Sequence, residues 1–432
     1  MKPIHRLRDN LANVVGGELF LRAANAAVAV LIGRAYGARE LGTYAAVLAA
    51  ATLAERLADN GLEFTGIAEV SRHPESLSEA ANTLYVDKTA LSVVAIALLA
   101  LTSRALGFPK SQWPIATILT IRTFLYSYCR LNAGLLKALN KTKHIIRIQA
   151  LHCLLLTLSV VAIYLRQRGL LMLLVCLLAA QTVEFLLSSA VLFKLGLRRS
   201  VVSPSTCWDL IRRSTPVGLT YTLSTLMLRG DVVVLSLIAS AEEVGIFSAA
   251  NTALVFAYVI AWLFSGVLLS NLGSFSHDRE AFDSHFRKCL NAVLILVVPT
   301  ATVAIALSHL VILFVFGKAF EAATLPGALM LAALPFIFLN AAFLSRTVAR
   351  NASSLSLGIY GFTAVLSLLL NYFLGRSNGA AGVAVSILIR EVVITLLFVH
   401  FWNFGGTRGG SGSREVAERI KESAEPAWLQ TA

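Results

Sequence analysis

The chain has 432 residues, 57% of them hydrophobic and only 14% charged, with a formal net charge of +13. A typical soluble domain is roughly 25% charged, so the composition excludes a soluble globular protein and points to an integral membrane one. The basic excess raises the question of a nucleic-acid partner, but orientation in a membrane accounts for it and no nucleic acid is expected.

A bilayer-spanning helix needs about 20 mainly apolar residues, and such stretches recur along the chain. In order they fall near 11–33, 41–62, 84–103, 113–136, 145–164, 169–193, 214–238, 244–271, 289–316, 325–347, 354–374 and 379–402. This predicts an all-α polytopic fold of about 12 transmembrane helices. Barrel strands would alternate over about ten residues, whereas runs such as Leu91 to Leu101 are continuously apolar. Segment 1–10 is basic, and the stretch after it holds Glu18 and Arg22 and lacks a clear cleavage site. It reads as a cytoplasmic N-terminus before a retained first helix, not as a signal peptide. Beyond Trp402, glycines and then a charged stretch from Glu415 to Glu425 predict a flexible cytoplasmic tail over 403–432.

Lysine and arginine set the orientation. With the span-end residues Lys88, Arg130, Arg147 and Arg346 counted in the adjoining connections, 24 of the 37 lie on the side of the N-terminus, 8 lie opposite and 5 lie inside spans. The positive-inside rule then places both termini in the cytoplasm.

A weak internal repeat divides the bundle. Residues 38–46 (Ala-Arg-Glu-Leu-Gly-Thr-Tyr-Ala-Ala) match 241–249 (Ala-Glu-Glu-Val-Gly-Ile-Phe-Ser-Ala) at an offset of 203, and each copy opens the second helix of a six-span half. The expected organisation is an N-lobe over 11–193, a connection over 194–213 and a C-lobe over 214–402. Two parallel six-helix lobes around a central cavity fit a transporter that exposes a site alternately to either side.

Charged residues inside the spans are the candidate site. A lipid-exposed guanidinium at mid-depth costs at least ~2.5 kcal/mol, so Arg22, Arg122, Arg229 and Arg390 are expected to face a bundle interior or a wet cavity. Glu18, Arg22 and Asn25 share one helix face, which reads either as an anion site or as a structural ion pair. Glu55, Arg56, Asp59 and Asn60 precede Gly61, either as a gate or ion-coupling cluster or as interfacial charges. Arg122, Tyr126 and Arg130 form a stripe toward Lys137, either as a ladder of cations that guides a phosphate inward or with Arg130 and Lys137 as ordinary cytoplasmic anchors, the reading favoured for Lys137. Arg229 shares a face with Thr222 and Thr225, whereas Asp231 points elsewhere, toward a cation on a neighbouring helix. Arg390 and Glu391 are adjacent and are expected to diverge, with Arg390 supporting packing or a gate. Glu184, alone in its span, is a candidate for proton coupling.

No cofactor or metal is expected, although H⁺ or Na⁺ coupling is left open. Cys129, Cys153, Cys176, Cys207 and Cys289 are scattered without a CxxC, which suggests neither a metal site nor a disulfide framework. The chain has no P-loop, HExxH or GxSxG element, and the outer connections are too short to hold a polymer acceptor, so an enzyme is not expected.

The stretch from Leu31 to Tyr44, with Leu57-Ala58-Asp59-Asn60-Gly61-Leu62, resembles the opening of bacterial polysaccharide exporters. These are the O-antigen-type flippases of the multidrug/oligosaccharidyl-lipid/polysaccharide superfamily. Arg229-Gly230-Asp231 and Glu243 to Ala250 resemble the start of that family's second half. The resemblance implies a bacterial inner-membrane protein that moves an undecaprenyl-diphosphate-linked oligosaccharide, an O-antigen or exopolysaccharide repeat unit, from the cytoplasmic to the periplasmic leaflet. Membrane lipids, a polysaccharide polymerase and a chain-length regulator are its implied partners. Related lipid II flippases carry arginines in the first two helices, where Arg22 and Arg56 stand, although about 12 spans rather than fourteen argue against that substrate. The other readings are a cation-coupled drug or metabolite antiporter of the same superfamily and a non-transporting scaffold of a glycan assembly complex. Arginines rather than carboxylates dominate the interior, which favours an anionic cargo.

Overall fold

A computed structural model describes the backbone at residues 2–73, 77–105, 108–165, 169–198, 200–273, 279–350 and 352–405. Side chains are described from residue 24 onward, apart from scattered positions and 403–405. The described residues hold helices and no strands, as a lipid environment demands of any backbone that is not a closed barrel.

Helix α1 (Lys2–Asp59) is two limbs that meet at Gly37, whose φ of 86° and ψ of 178° belong to glycine alone. An unbroken helix of 58 residues would reach ~87 Å, several times the ~30 Å of hydrocarbon. The two limbs instead fold back, and Gly33 lies against the side chain of Leu41. Asn60 and Gly61, both left-handed, turn the chain into a short helix α2 (Leu62–Arg72), which lies between the predicted spans 41–62 and 84–103. The first half continues through α3 (Leu77–Ala105), α4 (Trp113–Ala138), α5 (Thr142–Leu165) and α6 (Leu170–Lys194).

The second half comprises α7 (Pro204–Ile238), α8 (Ala241–Gly273), α9 (Arg279–Phe316), α10 (Thr324–Ala332), α11 (Leu334–Ala349) and α12 (Ser353–Gly405). The predicted span 325–347 is bent between α10 and α11, where Pro335 occupies the first turn of α11 and lacks an N–H to continue the ladder. α12 breaks at Asn378–Gly379 and also folds back, bringing Gly382 against the carbonyl of Leu374.

Eight helices among the described residues are long and apolar enough to cross a membrane, so the chain is a multi-pass membrane protein. Neither α1 nor α4 is among the eight. The expected figure of about 12 is reached only by adding α4 and counting each limb of α1 and α12 separately.

Two packing features position the site. The repeat copies meet each other: a methyl on Gly42 would strike the carbonyl of Ala241, and one on Gly245 would strike that of Ala38. Each copy thus presents the same surface to the other, as an internal two-fold requires, and glycine lets the backbones approach. Around this crossing lies one core shared by both halves, including Ile32, Leu41, Leu173, Phe247, Phe320 and Val383. At the other end, where the basic connections lie, the core divides. One part is centred on Leu62, Leu84, Leu131 and Leu192, and the other on Leu272, Phe286, Phe343 and Phe398.

Candidate functional site

Among the described residues, the span charges singled out by the sequence fall into three buried polar groups. In the first, α4 carries Arg122, only 8% exposed, whose Nη2 donates to Oδ1 of Asn25 on α1 at 3.3 Å. Its Nε is buried with no hydrogen-bond partner. Close enough to feel this charge is Glu184, which lies 3.2 Å from His152 Nδ1 and accepts from Gln181 Nε2 at 2.6 Å. Glu184 is therefore not alone, since α5 supplies a histidine that hydropathy gave no reason to single out. The side chains of Glu18 and Arg22 lie outside the described residues.

The second group sits at the basic end of the first half. Glu55 accepts from Arg130 Nη2 at 2.8 Å and from Ser127, while Arg130 also faces Glu63 at 3.4 Å and Tyr126 at 5.7 Å. Arg130 is thus committed to two carboxylates, and the expected cationic ladder from Arg122 toward Lys137 is interrupted there. Asp59 is held by Lys88, and the two side chains are 3% and 1% exposed. Sequence reading had assigned Lys88 to a span end. It is buried because Asp59 waits opposite it on α1, a partnership no local pattern reveals. Arg56 is only 3.9 Å from Glu55, and its buried Nη1 has no hydrogen-bond partner.

The third group fills the second half. Arg390, 1% exposed, directs Nη1 to Asp231 at 3.3 Å, to the carbonyl of Met227 at 3.0 Å and to Ser367 at 3.3 Å. Its Nη2 donates to Tyr258 at 2.9 Å. Its Nε lies 3.2 Å from Oε1 of Glu391, so the two adjacent residues converge, contrary to expectation. Their backbones diverge by about 100°, but the long guanidinium stem curls back to reach a shared centre. Glu391 also accepts from Tyr258 at 2.8 Å and Asn340 at 2.9 Å, and Asp231 from Asn371 at 2.7 Å. Arg229, Thr222 and Thr225 are each half-buried along α7.

Chemically, the third group is closed on itself, whereas the first holds a buried cation with a spare donor. The model of the polysaccharide biosynthesis protein family matches residues 9–269. The chain belongs to that family. No curated protein matches it in sequence. Among solved structures, it is similar to the lipid II flippase MurJ in an inward closed conformation, with a TM-score of 0.73 and 14% identity over 90% of this chain and 86% of that one. A multidrug resistance MATE family transporter of the MOP superfamily, inward-facing, gives a TM-score of 0.68 at 16% identity over 90% and 96%. A MOP superfamily transporter from Pyrococcus furiosus gives 0.62 at 13% over 91% and 94%. At such identities the likeness establishes a shared fold, that of a flippase and of multidrug transporters, for this family member.

Proposed function

We propose that this polysaccharide biosynthesis protein is a transporter rather than an enzyme. In this reading it flips an undecaprenyl-diphosphate-linked oligosaccharide from the cytoplasmic to the periplasmic leaflet of the bacterial inner membrane by alternating access, with both termini cytoplasmic. The observation that carries the reading is Arg122, a buried guanidinium bound by one long hydrogen bond and holding an unused Nε. A diphosphate offers charged acceptor oxygens that such a donor lacks, and charge-assisted bonds in a low-dielectric site are strong. Arg56, with its unused Nη1, Asn25, Arg22 and Arg229 complete the headgroup site in this reading. The lipid tail stays in the bilayer. A polymerase and a chain-length regulator act on what is delivered.

The shared fold also supports a cation-coupled drug antiporter. Such a protein needs a carboxylate free to meet a cation, and here Glu55, Asp59, Asp231 and Glu391 each already face a cationic side chain of the chain itself. Among the described residues, Glu184, which faces His152, and Asp87, which is buried with no partner at Oδ2, are places left for H⁺ coupling. Leaflet-resolved labelling of lipid-linked oligosaccharide, in cells with and without the protein, decides between the two. Precursor trapped on the cytoplasmic face without the protein supports flipping, whereas unchanged glycolipid with altered drug accumulation refutes it. A scaffold role predicts that Arg122→Ala leaves export intact.

A further inference from the structure

The two halves touch at both ends of the bundle, but the two contacts differ in kind. At the Gly42–Gly245 crossing, backbone meets backbone within one continuous core. At the basic end, where the core is divided, the seam is thinner. Gly61 of the first half meets Gly218 of the second, and Asn60 Nδ2 donates to Thr215 Oγ1 at 2.9 Å. One turn further along, Phe64 on α2 stacks on Tyr221 on α7, with ring centroids 4.1 Å apart and planes 8° from parallel. This is the one ring pair among the described residues that joins the two halves.

Both rings are incompletely covered, Phe64 at 38% and Tyr221 at 39% exposure. A stack between two packed core residues would be sealed by neighbours, whereas this one has a face against its partner and an edge left open. Polar groups rim it. Glu63 precedes Phe64, Tyr221 lies within the field of both Glu63 and Arg56, and Asn60 and Thr215 lie one turn away. An aromatic face bordered by carboxylate, guanidinium and amide groups is chemically suited to a pyranose. The ring's electron-rich face attracts the polarised axial C–H bonds of the sugar, while the rim donates to and accepts from its hydroxyls.

We propose that Phe64 and Tyr221 form a sugar-stacking pair at the basic-end seam, closed on each other here and each taking a pyranose face when the halves part. The inference rests on the flippase reading and adds the part of the cargo it leaves unread, since arginines hold a diphosphate but not a sugar. The stacked rings replace the missing sugar in the closed state, so opening exchanges one stacking interaction for another rather than exposing two bare aromatic faces. Because most hexopyranoses offer a C–H face, the pair favours glycosylated over bare lipid without choosing among sugars.

The test compares two probes on the full-length protein in nanodiscs: bare undecaprenyl diphosphate, and the same lipid diphosphate carrying an N-acetylglucosamine disaccharide. Wild-type protein should bind the glycosylated lipid roughly tenfold more tightly, and Phe64→Leu and Tyr221→Leu should each remove most of that increment while leaving the affinity for bare lipid unchanged. Phe64→Tyr and Tyr221→Phe, which keep the rings, should keep the increment. Leucine variants that retain the increment, or that weaken both lipids equally as loss of a simple latch would, overturn the inference. Wild-type protein that binds both lipids equally overturns it while sparing the flippase reading. Binding of neither lipid refutes both.

Discussion

Arg390 in the second half bonds to five residues drawn from α7, α8 and α12. Arg122 in the first half reaches Asn25 alone among the described residues. Both are buried arginines in apolar helices, and hydropathy treats them alike. The difference lies in how many acceptors the surrounding helices supply. A guanidinium has five N–H donors, and where the fold satisfies them the residue ties helices together. Where donors are left over, the free-energy penalty of the unmet donor is relieved only by an incoming acceptor, so the same residue type becomes a binding group.

Removing parts of each network tests this contrast, beginning with the largest expected loss. Arg390→Ala should strand Asp231 and Glu391 without their shared cation and destabilise the protein by about 3–5 kcal/mol. A thermal-shift measurement in detergent would show it, and an Asp231→Leu/Arg390→Met/Glu391→Gln triple variant should recover most of the loss, because the penalty belongs to the unpaired charges. Stability close to wild type in the single variant would show that the third group is not a structural tie. Lys88→Ala should cost a similar or smaller amount, also about 3–5 kcal/mol, read by the same melt. A variant that melts normally would mean that Asp59 finds another cation.

Gly245→Leu comes next, at about 1–3 kcal/mol from overpacking, since its side chain must displace the backbone of Ala38. Cysteine cross-linking between α1 and α8 should fall in this variant, and unchanged cross-linking would contradict the close crossing. The smallest effect on stability, and the largest on transport, is expected for Arg122→Ala. It removes one hydrogen bond worth about 1 kcal/mol or less yet should abolish glycolipid export, with Arg122→Lys restoring it in part. Export at the wild-type level would end the proposed role of Arg122, whatever its stability.

Much of this architecture is legible before any coordinates. Gly37 lies in the gap between predicted spans 11–33 and 41–62, Asn378 ends the gap between 354–374 and 379–402 with Gly379 opening the next span, and the chain turns at both. Helix α4 was legible as the span 113–136 although Arg122, Thr123, Ser127, Arg130 and Asn132 make it less apolar than its neighbours, whereas α2 is too short to give a membrane-length signal. The site was legible as a set of charges but not as a set of partnerships. Arg122 and Arg130 were both visible as charge within a span, yet nothing local distinguishes Arg122, which meets no carboxylate among the described residues, from Arg130, which is held by Glu55 and Glu63 and keeps only its Nε unused. The pair Arg390–Glu391 was misread because helical spacing describes where side chains leave the backbone, not where a long guanidinium ends.

By itself the sequence determined that this chain is a helical membrane protein with basic residues biased to one side and a repeat joining its halves. These properties follow from transfer of each segment between water and lipid, and each segment carries that information in its own composition. The tertiary structure decided which charges are spoken for. The ion pairs Lys88–Asp59, Arg130–Glu55 and Arg390–Asp231 join residues 29, 75 and 159 positions apart, and a side chain's residual capacity to bind depends on acceptors that distant helices bring or withhold.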